Sequence, residues 1–507
     1  MPKIIFIIFL LISSVFASEC VECHNVESFD SVNHNFSCVE CHVLKRDREH
    51  YTHDDIITHP ASDKFVDGFC GECHKDEIDK FRNSNHYTHQ NEINLIFKSF
   101  GLDRNFTIQT LPQVPEVIET KEHLVTDLLR RKCLSCHTEN SINYSTGMHH
   151  GKGCMACHAE YRSDGLYRGS DKTMRNKKPF AKNHTLSKPK MNMCLSCHNK
   201  EFVGTDFLGL FPKDFEDSYR APLTLDGKYP PQIFGLDFHH LSSDVHHSAG
   251  MNCIDCHNGV MGSQKPSCVS CHVKSLGDLA VNLNESSNVN KILDKEPKKS
   301  LNFKYAHASY HSNLSCSSCH SSWQMSNHEL SLLRDDTPNY EQWRKLTLQG
   351  DGYLERFLNL ALENNATKPV MYDYLDGALK EGVWYMGWKY RRWERLYLGN
   401  DENGQVSILR PFFEYRLSYK NSFKEMIFND MSGDESGEFG AFIPFSPHTT
   451  GRVAKPCEEC HELSKVNFAN GKRILKGSHL TKEQIQKLTS DEYKKVRAKM
   501  LLNENFK

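Results

Sequence analysis

Hydrophobic positions along this chain are sparse and fall in short runs. The longest unbroken run covers residues 4–12, with Lys3 ahead of it and Val15, Phe16 and Ala17 behind. A cation, a short apolar run and small residues at a cleavage point read as a secretory signal over residues 1–17. The run is too short for a comfortable transmembrane helix, and an uncleaved anchor is the alternative. Glu19 before Cys20 does not suit a lipoprotein cleavage site. No later stretch is long and apolar enough to span a bilayer.

Beyond the start, regular patterning concentrates in residues 321–456. Leu354, Phe357, Leu358, Ala361 and Leu362 recur at helical spacing within 353–366. Residues 388–398 and 406–419 are β-rich and bracket Gly399-Asn400-Asp401-Glu402-Asn403-Gly404, which predicts a hairpin turn. All five Trp (323, 343, 384, 388 and 393) lie in this stretch. Residues 430–438 are acidic but match no full calcium loop, and they read as a solvated loop. Residues 482–502 predict a polar helix without a membrane-binding face. Elsewhere Asn, Gly and Pro break the chain into short helices and loops. The expected fold is mainly α with extensive loops, plus a small α+β insertion.

The cysteines change the picture. There are 20, and each belongs to a C-x-x-C pair followed at once by His. In chain order these ten motifs are Cys20, Cys23, His24; Cys38, Cys41, His42; Cys70, Cys73, His74; Cys133, Cys136, His137; and Cys154, Cys157, His158. Then come Cys194, Cys197, His198; Cys253, Cys256, His257; Cys268, Cys271, His272; Cys316, Cys319, His320; and Cys457, Cys460, His461. They are numbered motifs 1 to 10 below. C-x-x-C-H is the attachment signature of c-type haem. Two thiols on one turn form thioethers with the vinyl groups, and the adjoining imidazole reaches the iron as proximal ligand. Structural zinc needs no His after every pair, a thioredoxin-type site is a single motif, and a disulfide framework gives the His no purpose. Ten haem c groups are expected.

Motif positions divide the chain. The first nine form three groups, each a close pair plus a single, whose corresponding members recur roughly 113 to 124 residues apart. This predicts a nine-haem core of three trihaem modules over 18–320, a haem-free insertion over 321–456, and a tenth haem with a helical tail over 457–507. Hydrophobic residues are only 38% of the 507, thin for a large conventional core. Porphyrins would supply the missing apolar surface, and iron ligation would then be part of the folding energy. The formal charge is −2 before any haem propionate is counted. Nucleic acid is excluded as a natural partner, and Lys/Arg clusters read as propionate partners or a solvated face.

Of 29 His, ten are proximal, leaving nineteen for the opposite axial positions. A second imidazole closes an iron to outside ligands and suits electron relay. The distal candidates are His34, His59, His86, His123, His149, His184, His240, His246, His311 and His448. His150, His247 and His307 compete with neighbours in that set. His50, His53, His89, His239, His328 and His479 are further possibilities. Spacing alone does not pair a distal His with an iron.

These motifs, together with segments such as His246-His247-Ser248-Ala249-Gly250-Met251-Asn252-Cys253, resemble the multihaem c-type cytochromes of bacterial respiration. By haem number the chain is similar to decahaem cytochromes of outer-membrane conduits, though it lacks their pentahaem duplication. The resemblance implies relay between a quinol-linked donor and a periplasmic or extracellular acceptor, by an exported protein that could associate with a membrane complex. The chain also looks like octahaem reductases and hydroxylamine-oxidising enzymes, which implies a second possibility: an oxidoreductase acting on a small nitrogen or sulfur compound at one open haem. No C-x-x-C-K motif is present. Arg391, Arg392, Arg395, Arg410 and Arg416 could hold an anionic substrate. Catalytic residues are not assigned, and a filament subunit is a third possibility.

Overall fold

The computed structural model describes residues 20, 34, 36–47, 51–140, 150–161, 181–199, 203–212, 238–258, 266–268, 271–272, 311, 313–328, 330–337, 370–386, 390–394, 396–433, 440–462, 466–469 and 471–495. Residues 1–17, the expected helix at 353–366, and the motif 1 residues Cys23 and His24 lie outside them.

The motifs sit on short helices. Cys38–His42, Met155–His158, Met191–His198, Cys253–Cys256, Cys316–His320 and Cys457–His461 each carry one. Motif 3 opens the longer Gly71–Arg82. One turn is short for an isolated helix, and local chemistry supports it. Glu40 accepts the Ser37 backbone N–H at 2.6 Å, and Asp255 accepts that of Asn252 at 2.8 Å. Both use an acid inside the motif to satisfy a free donor at the helix start.

The expectation of a mainly α fold is overturned. The described part is 36% helical and 20% strand, with several sheets. Strands β1 (Ala159–Tyr161) and β2 (Ala181–Leu186) form one antiparallel pair, and β3 (Leu210–Pro212) and β4 (Phe238–His240) another. Next in the chain come β5 (Ser326–His328), β6 (Leu330–Asp335), β7 (Val370–Tyr372), β8 (Leu379–Glu381), β9 (Val383–Met386) and β10 (Tyr390–Arg392). After these come β11 (Leu396–Asn400), β12 (Val406–Phe412), β13 (Tyr415–Lys420), β14 (Met426–Met431), β15 (Ala441–Pro444), β16 (Val466–Phe468) and β17 (Arg473–Ile474). One sheet has the order β14-β13-β6-β9; a second, curled into a half-barrel, has β16-β11-β12-β15-β17. β5 pairs with β10, and β7 with β8.

The expected hairpin is β11–β12, with Asn400 opposite Val406. Asp401 builds its turn by accepting the backbone N–H groups of Asn403 and Gln405 at 2.9 and 3.0 Å, and Gly404 takes φ +75°. The sheet does not stop at the insertion boundary drawn from the motifs. β16 and β17 follow motif 10 and flank the sheet. The expected tail helix breaks at Ser490: Lys482–Thr489 is followed by a further helical turn at 492–495, and residues 496–502 lie outside the described ones.

A conventional core does form, away from most motifs. Ile93, Phe97 and Phe100, with Leu124, Leu128 and Leu129, meet Leu332, Trp384, Tyr385 and Leu417 across the four-stranded sheet. The helices Gln90–Ser99 and Lys121–Leu128 thereby join the first two motif groups to the insertion.

Candidate functional site

Three motif histidines share a local arrangement. The Nδ1–H groups of His42, His158 and His461 donate to the carbonyls of Ile57, Ser187 and Leu488 at 2.7, 2.9 and 2.9 Å. Fixing Nδ1 this way sets the tautomer and leaves Nε2 for a metal.

Five motif histidines face a second imidazole from elsewhere in the chain. Ring centres of His34 and His74 lie 6.0 Å apart, those of His86 and His198 6.3 Å, and those of His246 and His272 6.1 Å. His257 and His448 are 6.3 Å apart, and His311 and His461 6.4 Å. A metal–nitrogen bond of about 2 Å on each side, plus roughly 1.15 Å from each nitrogen to its ring centre, puts two axial imidazoles about 6.3 Å apart. The five pairs match that spacing. Between-ring angles from 10° to 81° are compatible with it, since axial imidazoles rotate about the bond to iron.

His86, His198 and His257 reach solvent, yet burial holds all three below the ordinary His range, His198 at about 4. Lowered basicity keeps each ring neutral, the form that ligates metal.

Asp244 ties two of these pairs together. Its Oδ1 accepts from the His246 backbone N–H and ring Nδ1–H, both at 2.8 Å, and its Oδ2 accepts the Thr450 N–H at 2.6 Å. It therefore fixes His246 directly and the chain beside His448 indirectly. Its position before His246, as the cap of the Val245–Ser248 turn, was the available sequence signal.

The remaining candidates are placed as follows. His59 is an electrostatic neighbour of His42. His123 stands at the start of Lys121–Leu128 with Nδ1 buried and without a hydrogen-bond partner. His150 is buried. His184 lies on β2 and His328 on β5. His239 and His240 are exposed on β4, with His239 against Trp393. His247 packs on Phe207 at 5.1 Å, leaving His246 as the ring facing His272. His479 donates to the Lys472 carbonyl. His50, His149 and His307 lie outside the described residues. His448, adjacent in sequence to motif 10, instead faces motif 7, and His311 faces motif 10.

Motifs follow one another in space. The Cys70 thiol, pushed up to about 11 chiefly by burial, feels Cys154 and Cys41, so motif 3 neighbours motifs 5 and 2. Met155–His158 and Cys253–Cys256 both pack on Met191–His198. Cys194 and Cys253 share a thiol hydrogen bond, as do Cys268 and Cys316. Cys256 lies within electrostatic reach of Cys271, and Cys319 of Cys457. The resulting line is 2-3-5-6-7-8-9-10. Motif 4 stands beside it, with Cys197 Sγ 3.6 Å from the Cys136 carbonyl. Motif 10 is not set apart by the insertion: the Lys455 N–H donates to the Cys319 carbonyl at 2.7 Å.

Other chemistries fit less well. No disulfide joins the described cysteines. Most thiols with a displaced pKa are raised, Cys194 excepted, unlike a redox nucleophile. Among the described residues no three His, Cys, Asp or Glu side chains converge on a common point, as a bare metal ion would require; a porphyrin brings four equatorial ligands of its own. Two of the arginines, Arg410 and Arg416, are engaged. Arg410 lies over the Phe412 and Phe445 rings within electrostatic reach of buried Asp206, and Arg416 pairs with Asp430 at 3.5 Å. Arg391 and Arg392 lie on β10, and Arg395 is outside the described residues.

No family model matches the chain, and neither a curated protein nor a solved structure is similar to it. Among the described residues no helix is long and apolar enough to cross a membrane.

Proposed function

We propose that this chain is an exported electron-transfer protein that binds ten haem c groups and passes electrons along them. The observation that carries the reading is the set of five His–His pairs, each joining a motif His to an imidazole from another segment at 6.0–6.4 Å. Bound haem would supply one-electron redox chemistry at iron.

The chain's own residues would do the rest. Each motif's cysteines would hold one haem covalently, and its His would ligate the iron. His34, His86, His246, His311 and His448 would supply a second imidazole to motifs 3, 6, 8, 10 and 7, which suits relay over catalysis. Backbone carbonyls at Ile57, Ser187 and Leu488 hold ring orientation. A line of adjacent motifs gives electrons a continuous route. A quinol-linked donor and a periplasmic or extracellular acceptor would meet it at its ends, and association with a membrane complex would serve the same purpose.

Intact mass of the exported protein is expected to equal the chain cut near Ala17 plus ten haems, and a stable product with substantially fewer would refute the reading. His448→Ala should turn one low-spin haem high-spin and let it bind carbon monoxide. An unchanged ferric spectrum would remove His448 from the ligand set.

A further inference from the structure

Strand β14 lies at the edge of its sheet and is joined to β13 by the turn at 421–425. Along this hairpin Phe428 and Met431 pack on the core beneath the sheet. Three other apolar side chains do not. Phe423 is 82% exposed, Met426 49% and Ile427 43%, within an unbroken exposed run from 422 to 427. A single exposed apolar residue is ordinary, but several on one projecting turn form a patch of the kind that marks an interaction surface.

The turn holds this patch in place. Asn421 Oδ1 accepts the backbone N–H groups of Phe423 and Glu425 at 3.0 and 2.9 Å. The Asn421 N–H donates to the Glu425 carbonyl at 2.9 Å, and its carbonyl accepts the Lys424 N–H at 3.0 Å. An Asn folded onto its own turn fixes the backbone locally, and Lys424 takes the left-handed conformation at φ 68° that closes it. A tip formed in advance loses little conformational freedom when it docks.

Charge at the tip has a sign. Lys420 and Lys424 flank Phe423 in sequence, and Lys424 is exposed with no carboxylate partner among the described residues. The nearby acids are engaged: Glu425 Oε2 accepts from Asn421 Nδ2–H at 2.9 Å, and Asp430 pairs with Arg416 at 3.5 Å. Asp434, Glu435 and Glu438 come only after β14 has run back from the tip. An apolar wedge with cations beside it matches an anionic lipid surface, where apolar side chains enter the headgroup boundary and ammonium groups meet phosphates. A protein partner is a poorer fit. A stable protein interface takes about 20–30 residues a side, and this tip presents the six from 422 to 427.

We propose that the tip of the β13–β14 hairpin docks the chain on an anionic lipid membrane. Phe423, Met426 and Ile427 enter the headgroup layer, and Lys420 and Lys424 meet lipid phosphates. The inference stands apart from the haem reading and needs no bound group. Docking of this kind would bring the chain to the membrane that holds a quinol-linked donor, without a spanning helix.

Cosedimentation of the exported protein with vesicles tests it, comparing phosphatidylglycerol mixed with phosphatidylethanolamine against phosphatidylcholine alone. The native protein should bind the anionic vesicles, bind the neutral ones far less, and be released as salt rises. Phe423→Ser should lower the partition coefficient about tenfold, the loss expected for one aromatic side chain taken out of an apolar layer. Lys424→Asn removes one cation while suiting the left-handed backbone, and should lower it about fivefold. Both positions are exposed, so both variants should unfold thermally as the native protein does, which separates lost docking from a damaged fold. No binding of anionic vesicles by the native protein, or an unchanged partition coefficient in Phe423→Ser, overturns the proposal. So does a lipid-free dimer that Phe423→Ser converts to monomer, since the tip would then be a contact between two copies of the chain.

Discussion

Asp244 accepts hydrogen bonds from two ligand-bearing segments through its two oxygens. It is buried, so those bonds are neither screened nor exchanged with water. Asp244→Ala should therefore disturb the ligation of two irons, at motifs 8 and 7, where His448→Ala disturbs one. Removing such an outer partner lowers metal affinity by about 10–100-fold. Ferric spin-state spectroscopy should find two new high-spin haems, with intact mass showing all ten haems retained. A spectrum identical to the native one would show that Asp244 only caps a helix. At this scale the ten motifs were legible, because the C-x-x-C-H signature is written in residues that adjoin in sequence. Asp244 and the partner of each distal His were not. His86 reaches motif 6 and His448 reaches motif 7 across long stretches of chain, and no local spacing encodes such a meeting.

Elements were legible where a local turn dictates them, as at Asp401 and Gly404 in the β11–β12 hairpin. The mainly helical expectation failed because several strands are only two to four residues long, as in β5, β7, β8, β10, β16 and β17, too short to show alternation. Their order is also non-local: β6 pairs in parallel with β13, and β16 with β11. What locks these sheets to the helical layer is a buried charge cluster. Asp127 accepts the Trp384 indole N–H at 2.7 Å and faces Arg131 and Arg334, while Asp336 accepts from Arg334 at 2.9 Å and from the Tyr419 hydroxyl at 2.8 Å. Asp127→Ala would leave buried Arg131 on backbone carbonyls alone and Arg334 with Asp336 as its one carboxylate, a change that costs about 3–5 kcal/mol. Denaturant unfolding followed by Trp fluorescence should register that loss, and a loss under about 1 kcal/mol would mean that water reaches the cluster. Burial raises the Asp127 pKa, but Arg334, Arg131 and Trp384 outweigh it and leave it below 3.8. A depressed carboxyl contributes stability above its unfolded pKa and loses it as pH falls through the folded one. The native lock should thus hold at pH 5 and weaken from about pH 4 downward, a dependence absent from Asp127→Ala.

For the whole molecule, the His–His approaches cross the boundaries drawn from motif spacing. His86, between the first two groups, meets motif 6, and His448, from the end of the insertion, meets motif 7. Side chains of different motif groups, and of the insertion, thus lie against one another. The order of motifs in space makes a differential forecast. Among the described residues, motif 8 joins motif 7 to motif 9 by way of the Cys256–Cys271 and Cys268–Cys316 approaches. Motif 4 is a side branch. Cys268→Ala/Cys271→Ala and Cys133→Ala/Cys136→Ala both yield nine-haem proteins, equal in mass and in total redox capacity. Only the first should break the route. With each protein held between two electrodes, current through the motif 8 variant should drop steeply, while the motif 4 variant should conduct like the native protein. Net charge, size and haem number are matched, so neither surface adsorption nor overall haem loss explains a difference between the two. Equal currents in both variants would mean that electrons bypass motif 8, and the line inferred from these contacts would then not be the path they follow.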